Sequence, residues 1–177
     1  ALSPFRFFVN TDKKPNPQCA NRLSAICRIP QVMRVIVQRV TTAQVSIGGK
    51  TVGKIARGMC VFLGVGKHDN EASATALADK IRSLRIFDDD QGKMNRSVID
   101  AQGELLVVSQ FTLYADCSKG NRPSFTDAAP AADAERLYNL FVQKLRASGL
   151  TVATGRFQAT MQVSLVNDGP VTFFLEA

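Results

Sequence analysis

The fold is decided by residues 33–55, which read MRVIVQRVTTAQVSIGGKTVGKI. Residues 34–47 are rich in valine, isoleucine and threonine, the β-branched residues that favour strands. Gly48-Gly49 is the kind of two-residue pair that makes a tight hairpin turn, and residues 51–55 return as a second strand. The stretch therefore predicts a β-hairpin at the start of the folded domain.

Short apolar runs continue this pattern towards the C-terminus. The run at 59–65 is apolar without interruption, which is typical of a strand buried on both faces, and 105–113 is predicted to be a second buried strand. Later strands are predicted at 150–154, 160–166 and 171–175. Asn, Asp, Gly and Pro are common turn residues, so Asn167-Asp168-Gly169-Pro170 alone indicates a turn between the last two of these strands.

Two segments have helical periodicity. Residues 71–84 place apolar side chains on one face, after Asp69 or Asn70 as the N-cap. A second helix is predicted to begin at Pro130 and to end at Gly149. We therefore predict an α/β fold with a mixed, largely antiparallel sheet that curls into a partial barrel, with two main helices packed outside it.

Residues 1–32 differ from the rest of the chain. They hold five basic groups and one acidic group, which is +4 of the net charge of +7, and they show little periodicity. We expect an N-terminal extension that is poorly ordered or non-native, either a targeting peptide or a segment foreign to the natural chain. Residues 33–177 are the predicted folded domain.

The cysteines and the single histidine exclude several kinds of site. None of the four cysteines forms a C-x-x-C pair, which indicates free thiols in a reducing compartment; they are Cys19, Cys27, Cys60 and Cys117. Cys60 lies in an apolar run and is predicted to be buried and inert. His68 is the one histidine, so zinc sites built on two or three histidines are excluded, and we expect His68 in a solvated loop.

Two motifs that resemble ligand loops are better explained as turns. GVGKHDN at 64–70 lacks the hydroxyl residue that follows the lysine of a phosphate-binding loop. FDDDQGK at 87–93 is acidic, but the twelfth position counted from Asp88 is Ile99 and not the glutamate of a calcium loop. We predict no metal and no cofactor.

No apolar run approaches the roughly 20 residues of a membrane helix, and we expect a cytoplasmic protein without a membrane partner.

Polar side chains accumulate at the end of the strand predicted at 105–113. In SQFTLYAD at 109–116, Ser109 and Phe111 are predicted to face one way and Gln110 and Thr112 the other. Burying such groups without partners costs about 1–3 kcal/mol each, so they indicate either an internal polar network or a functional site. In the following loop, Lys119 and Arg122 are candidate phosphate contacts, although exposed basic loop residues are common.

Four segments together resemble the D-aminoacyl-tRNA deacylase family: MRVIVQRV at 33–40, KMNRSV at 93–98, SQFTLYAD at 109–116 and NDGPVT at 167–172. The resemblance covers essentially all of 33–177. It implies a homodimer that hydrolyses the ester between a D-amino acid, or glycine, and the 3′-terminal adenosine of tRNA, and that leaves L-aminoacyl-tRNA intact. It also implies that Gly169-Pro170 is a cis peptide that reaches into the partner's active site, beside Ser109, Gln110, Phe111 and Thr112.

The resemblance further implies the substrate contacts. Asn167, Asp168 and Thr172 flank the cis peptide, whose carbonyl oxygens would accept hydrogen bonds from the substrate ammonium while the rigid backbone excludes an L side chain. GRFQATM at 155–161 resembles the lining of the adenosine pocket and supplies Phe157 and Met161, whereas many relatives have glycine in place of Gln158.

The chemical step implied by the resemblance needs no side-chain nucleophile. The sequence places no activating base near Thr112, whereas a 2′-hydroxyl of the terminal ribose can assist water attack. Backbone N–H groups around Phe111 and Thr112 would then hold the oxyanion. Two other functions stay open at this point: a non-catalytic module that binds tRNA ends, and a structural dimerisation domain.

Overall fold

The computed structural model describes residues 33–118 and 120–177. The predictions for the 1–32 extension, including Cys19 and Cys27, and for Lys119 lie outside the described residues. No helix in the part of the chain that is described is long and apolar enough to cross a membrane.

The described residues form eight strands, two α-helices and one short 3-10 helix. The strands are β1 (Arg34–Ile47), β2 (Lys50–Ile55), β3 (Gly58–Gly64), β4 (Phe87–Asp88), β5 (Met94–Arg96), β6 (Glu104–Ser109), β7 (Val152–Thr154) and β8 (Gln162–Glu176). The helices are α1 (Glu71–Ser83), the 3-10 helix Phe111–Tyr114 and α2 (Ala131–Arg146).

The sheet is organised around β1, which is 14 residues long. One edge of β1 pairs with β3 along its first half and with β2 along its second half, while β8 pairs along the other edge; all three pairings are antiparallel. The strands β3, β6 and β7 continue the sheet with parallel pairings. The predicted mixed sheet is confirmed.

The sheet curls until β2 approaches β7, so it is a barrel with one open seam. A Cβ atom at Gly53 of β2 would lie 2.6 Å from the Thr154 carbonyl oxygen of β7. Real Cβ contacts are essentially never this short, so a glycine is needed where the two strands meet. The predicted partial barrel is thus confirmed. The strands at its seam approach this closely because Gly53 has no side chain.

The core is divided by the sheet into two clusters. The larger cluster contains the buried faces of α1 and α2 together with inward side chains of β1, β3 and β6. The smaller one lies inside the curl and includes Val45, Ile55, Cys60 and Leu106. Burial raises the pKa of the Cys60 thiol to about 12, which agrees with the predicted inert thiol.

The local predictions for the loop before α1 are confirmed. Asn70 is the N-cap, and its Oδ1 accepts hydrogen bonds from the backbone N–H groups of Ala72 and Ser73. His68 is exposed in a turn. The acidic run at 88–90 covers the end of β4 and the start of the turn that leads to β5, two short strands that were not predicted from the sequence.

Two predicted strand boundaries are wrong. The run at 105–113 does not continue as a strand, because β6 ends at Ser109 and residues 111–114 form the 3-10 helix. The predicted strands at 160–166 and 171–175 are a single strand, β8, which pairs with β1 on both sides of Asn167–Pro170. The four residues therefore do not reverse the chain: they form an irregularity inside one long strand.

Candidate active site

A cavity of about 840 Å³ opens where the carboxyl ends of the parallel strands β3 and β6 meet. Leu63, Val65 and Val108 form its apolar floor, and Ala129 and Ala134 line the side next to α2. Polar side chains are the minority of the lining and include Ser109 and Gln110. Such a cavity, largely apolar with few polar groups, is typical of small-molecule and nucleoside sites.

One wall of the cavity is the SQFT segment. Ser109, Gln110 and Phe111 line the cavity, whereas Thr112 is exposed and does not. The 3-10 turn places Gln110 and Thr112 side by side, and the Gln110 Nε2 amide donates a hydrogen bond to Thr112 Oγ1. Gln110 and Thr112 thus share a side, as predicted, but Gln110 also lines the cavity next to Ser109 and Phe111, so the four side chains do not divide into the two faces of a strand.

Phe111 is unusually exposed for a phenylalanine, at 59%. Its ring stands edge-on against Phe125, with ring centroids 4.9 Å apart. Phe125 belongs to the loop between the 3-10 helix and α2. The two rings form an exposed aromatic pair at the rim of the cavity.

Another part of the cavity lining is the segment that follows β7, with Phe157, Gln158 and Met161. The Phe157 ring lies 6.0 Å from the ring of Tyr138, whose hydroxyl donates to the Val107 carbonyl. Gln158 has a φ of +59°, a left-handed conformation that only a few per cent of non-glycine residues adopt. This part of the cavity lining is therefore held in a tight turn at Gln158.

The irregularity in β8 is a wide bulge, here called the Gly-Pro bulge, residues 168–171. Asn167 pairs with Val40 and Thr172 pairs with Gln38, so four residues of β8 stand opposite the single residue Arg39. The Gly169–Pro170 peptide bond is cis, as the resemblance implied. Gly169 and Pro170 are both exposed.

Side chains of the strand close the base of this bulge. Asn167 Oδ1 accepts a hydrogen bond from the Val171 N–H at 2.9 Å, and Asn167 Nδ2 donates to Thr172 Oγ1 at 3.0 Å. Gln38 Nε2 also donates to Thr172 Oγ1, at 3.2 Å. Asn167 and Thr172 thus shape the bulge through contacts within the chain.

Arg39 binds the bulge through Asp168. Its side chain is only 6% exposed, and its Nε lies 3.1 Å from the Asp168 carboxylate and 3.3 Å from the Asp168 carbonyl oxygen. Its Nη1 donates to the Ile86 carbonyl oxygen at 2.7 Å and contacts Asp88 Oδ2 at 3.2 Å. Arg39 therefore ties the bulge of β8 to the segment before the acidic turn.

The sequence analysis missed Arg39, although a signal was present. Val35 and Val37 face the core, and period-two alternation puts Arg39 on the same side of β1. A charged residue at an inward position needs partners, because burying an unpaired charge is very costly. An arginine in an otherwise apolar inward series is the signal that predicts a buried ion pair.

The remaining predicted site residues lie apart from the cavity of their own chain. The cavity contacts Ser109, Gln110, Phe111, Phe157 and Met161 but none of Thr112, Asn167, Asp168, Gly169, Pro170 and Thr172. Arg122 is exposed in the loop after the 3-10 helix, also outside the cavity lining. Within residues 33–118 and 120–177 no group of three or more His, Cys, Asp or Glu side chains could hold a metal ion.

Comparison with known proteins decides the family. Residues 36–176 match the family model described as D-Tyr-tRNA(Tyr) deacylase. The D-aminoacyl-tRNA deacylase of Thermotoga petrophila is 59% identical over 145 residues, which is 82% of this chain and 97% of that protein. The chain belongs to the D-aminoacyl-tRNA deacylase family. Members of this family are hydrolases, so the chain is classed as an enzyme.

Another curated relative and two solved structures are also similar to this chain. The D-aminoacyl-tRNA deacylase of Rhodopirellula baltica is 57% identical, with 81% of this chain and 99% of that one covered. A solved structure titled c-Myc DNA Unwinding Element Binding Protein is 44% identical, with a TM-score of 0.77 over 81% of this chain and 98% of that chain. A probable eukaryotic D-amino acid tRNA deacylase, 16% identical, has a TM-score of 0.73 over 82% of this chain and 100% of that chain, which shows the shared deacylase fold.

Proposed function

We propose that this protein hydrolyses the ester bond of D-aminoacyl-tRNA, and of glycyl-tRNA, and rejects L-aminoacyl-tRNA. The observation that carries the proposal is the cavity lined by Ser109, Gln110 and Phe111 on one wall and by Phe157 and Met161 on the other. An aminoacylated adenosine needs an apolar surface for the base and polar groups for the ribose and the ester. Apolar and polar side chains both line the cavity.

The Gly-Pro bulge is the proposed chiral filter, and a second copy of the chain would provide it. Gly169 and Pro170 are exposed and do not line the cavity of their own chain. Val166 and Phe174 of the same strand are 54% and 55% exposed, so apolar side chains flank the bulge on both sides. Exposed apolar groups around a rigid projection favour a protein interface, here that of a homodimer.

The filter would work by exclusion. Glycine exposes bare backbone atoms, so two carbonyl oxygens of the bulge can accept hydrogen bonds from the ammonium of the substrate. The backbone then occupies the space of an L side chain, whereas a D side chain or the hydrogen of glycine points elsewhere. Asn167 and Asp168 support the filter through Thr172, Val171 and Arg39 rather than through the substrate.

The proposed chemical step is attack by water on the ester carbonyl carbon. The bond between that carbon and the ribose 3′ oxygen breaks, and the products are the free amino acid and tRNA with a free 3′-hydroxyl. The 2′-hydroxyl of the ribose assists the attacking water, and the backbone N–H groups of Phe111 and Thr112 stabilise the oxyanion. No side chain becomes covalently attached in this scheme.

Replacement of Thr112 tests this scheme. Thr112 Oγ1 has the Gln110 amide as its partner, and an amide N–H cannot accept the proton of a nucleophilic hydroxyl. We expect Thr112→Ala to keep deacylation within about tenfold of the unchanged protein, compared with the roughly 10⁶-fold loss when a serine-protease nucleophile is removed. Single-turnover rates measure the effect, and a loss of the larger size would make Thr112 the nucleophile.

The proposed function itself is tested with matched substrates. tRNA charged with radiolabelled D-tyrosine, L-tyrosine or glycine is incubated with the protein, and the label that remains on the RNA is followed over time. We expect rapid loss from the D-tyrosyl and glycyl substrates and spontaneous loss alone from the L-tyrosyl substrate. Binding without turnover would instead indicate a tRNA-end binding module. Such a tRNA substrate is consistent with the expected cytoplasmic location.

A further inference from the structure

A second depression lies beside the cavity and has a different character. It has a volume of about 390 Å³ and is here called the arginine cleft. Tyr138 and Phe157 line both the cavity and the cleft, so one pair of aromatic side chains separates the two. A ligand in the cavity can therefore extend past Tyr138 and Phe157 into the cleft.

The polar groups of the arginine cleft are mainly hydrogen-bond donors. Arg146, Arg156 and Asn139 line it, and they present two guanidinium groups and one amide. Arg146 is held in place because its Nη2 donates to the Val152 carbonyl oxygen at 3.1 Å. The guanidinium of Arg156 makes no hydrogen bond or ion pair with any other described residue, and the residue is exposed.

One acidic residue limits the positive charge of the cleft. Glu135 lines the cleft with the two arginines, so its three ionisable side chains carry a net charge of +1. Tyr138 adds no charge, because burial raises the pKa of its hydroxyl to about 12. The neutral hydroxyl donates a hydrogen bond to the Val107 carbonyl oxygen. The cleft therefore suits an anion with several acceptor oxygens.

We propose that the arginine cleft binds phosphodiester groups of the single-stranded RNA 3′ end whose terminal nucleoside occupies the cavity. This inference rests on the proposed function, because it takes the terminal adenosine to lie between Phe157 and the SQFT segment. Arg146 and Arg156 would donate to phosphate oxygens, contacts that position RNA without reading its sequence. The cleft, rather than the loop around Arg122, would then guide the RNA out of the cavity.

Binding of uncharged RNA separates this proposal from the deacylase activity. The probe is a fluorescein-labelled RNA minihelix that ends in CCA, titrated with the full chain at several salt concentrations. Arg156→Gln is expected to weaken binding about threefold to tenfold and to lower the salt slope by about 1, because one phosphate contact is lost. Glu135→Gln is expected to strengthen binding, since it removes the opposing charge.

Two controls accompany these variants. Lys80→Gln removes one positive charge from α1 at a residue that lines neither cavity nor cleft, so it is expected to leave binding unchanged. A stable amide analogue of D-aminoacyl-adenosine, which has no phosphate, is expected to bind the Arg156→Gln variant and the unchanged protein equally well. A loss that is confined to the minihelix supports a phosphate contact.

Three results would overturn the proposal. Arg156→Gln could bind the minihelix as Lys80→Gln does, Arg122→Gln could produce the loss instead, or the analogue without phosphate could show the same loss as the minihelix. Failure of the deacylation assay alone is a separate outcome, because the minihelix measurement requires no turnover. It would contradict the proposed function and leave the phosphate contact supported.

Discussion

Single residues decide what can approach the proposed site. Gly169 has a φ of +127°, a backbone conformation that residues with a Cβ atom rarely adopt. A Cβ there would lie 2.6 Å from Val171 Cγ2 and 3.0 Å from the Val171 nitrogen. Glycine is therefore favoured at this position of the bulge for two reasons: its positive φ, and the lack of space for a Cβ atom beside Val171.

Gly169→Ala is expected to displace the bulge and to reduce both the deacylation rate and the preference for D over L substrates. The added methyl group collides with Val171, and the bulge must shift to accept it. Gly149→Ala is the control, because Gly149 also has a positive φ but has nothing within 4 Å of an added Cβ. Unchanged rates on paired D- and L-tyrosyl-tRNA would contradict the proposed filter.

Gln158 offers a second test at the residue scale. A left-handed φ costs a residue with a Cβ about 1–2 kcal/mol, so Gln158→Gly is expected to gain up to about 1 kcal/mol in free energy of unfolding. Gln102→Gly is the matched control, because Gln102 has a φ of +50° and does not line the cavity. Both variants are expected to gain stability in urea unfolding, and only Gln158→Gly is expected to change the KM for tRNA.

At the scale of elements, the site depends on how β1 and β8 fit together. The two strands pair antiparallel on both sides of the bulge, with a register that differs between the two sides, and the bulge stands opposite a single residue of β1. That residue is Arg39, which binds β8 through Asp168 and the neighbouring segment through Ile86 and Asp88. One side chain thus connects three segments of the fold.

Arg39→Lys is expected to keep the charge but to lose the several directed hydrogen bonds of the guanidinium. We expect a loss of about 1–3 kcal/mol in free energy of unfolding, as for a buried donor set left partly unsatisfied. The ratio of D to L deacylation rates is also expected to fall, which a loss of stability alone does not produce. Arg82→Lys is the control, since Arg82 forms an exposed ion pair with Asp79. An unchanged D-to-L ratio would mean that Arg39 does not position the bulge.

At the scale of the whole molecule, the cavity and the bulge are separate features of one chain. The cavity lies at the carboxyl ends of β3 and β6, and the bulge does not line it. A complete site as proposed therefore needs two copies. In this proposal the subunit contact is a requirement for activity and not a matter of stability alone.

Cross-complementation between subunits tests this requirement. One subunit carries Gly169→Ala, and the other carries Ala159→Trp, which fills the cavity. Heterodimers purified by two different tags are expected to regain one working site, because the intact cavity of the first subunit meets the intact bulge of the second. In the control heterodimer one subunit carries both substitutions and the other carries none, and it is expected to be nearly inactive. The reverse result would mean that each chain serves its own cavity.

The sequence by itself determined the elements whose causes are local. The β-branched run and Gly48-Gly49 predicted β1, the turn and β2, and the spacing of apolar residues predicted α1 and α2. The motifs around Ser109 and Gly169 indicated the family, because they are short and specific. Each of these signals depends on residues that are close together in the chain.

The tertiary structure alone decided the features that depend on distant partners. Asn167–Pro170 has the composition of a turn, yet pairing with β1 on both sides keeps β8 one strand and makes residues 168–171 a bulge. The SQFT segment reads as strand, yet the parallel register of β3 and β6 ends at Ser109 and the chain turns there into a 3-10 helix. Arg39 lies at an inward position of the β1 pattern, but only the fold brings its partners Asp168 and Asp88 to it. Backbone pairing and ion pairs join residues that are up to 142 positions apart, and a local pattern contains no record of such contacts.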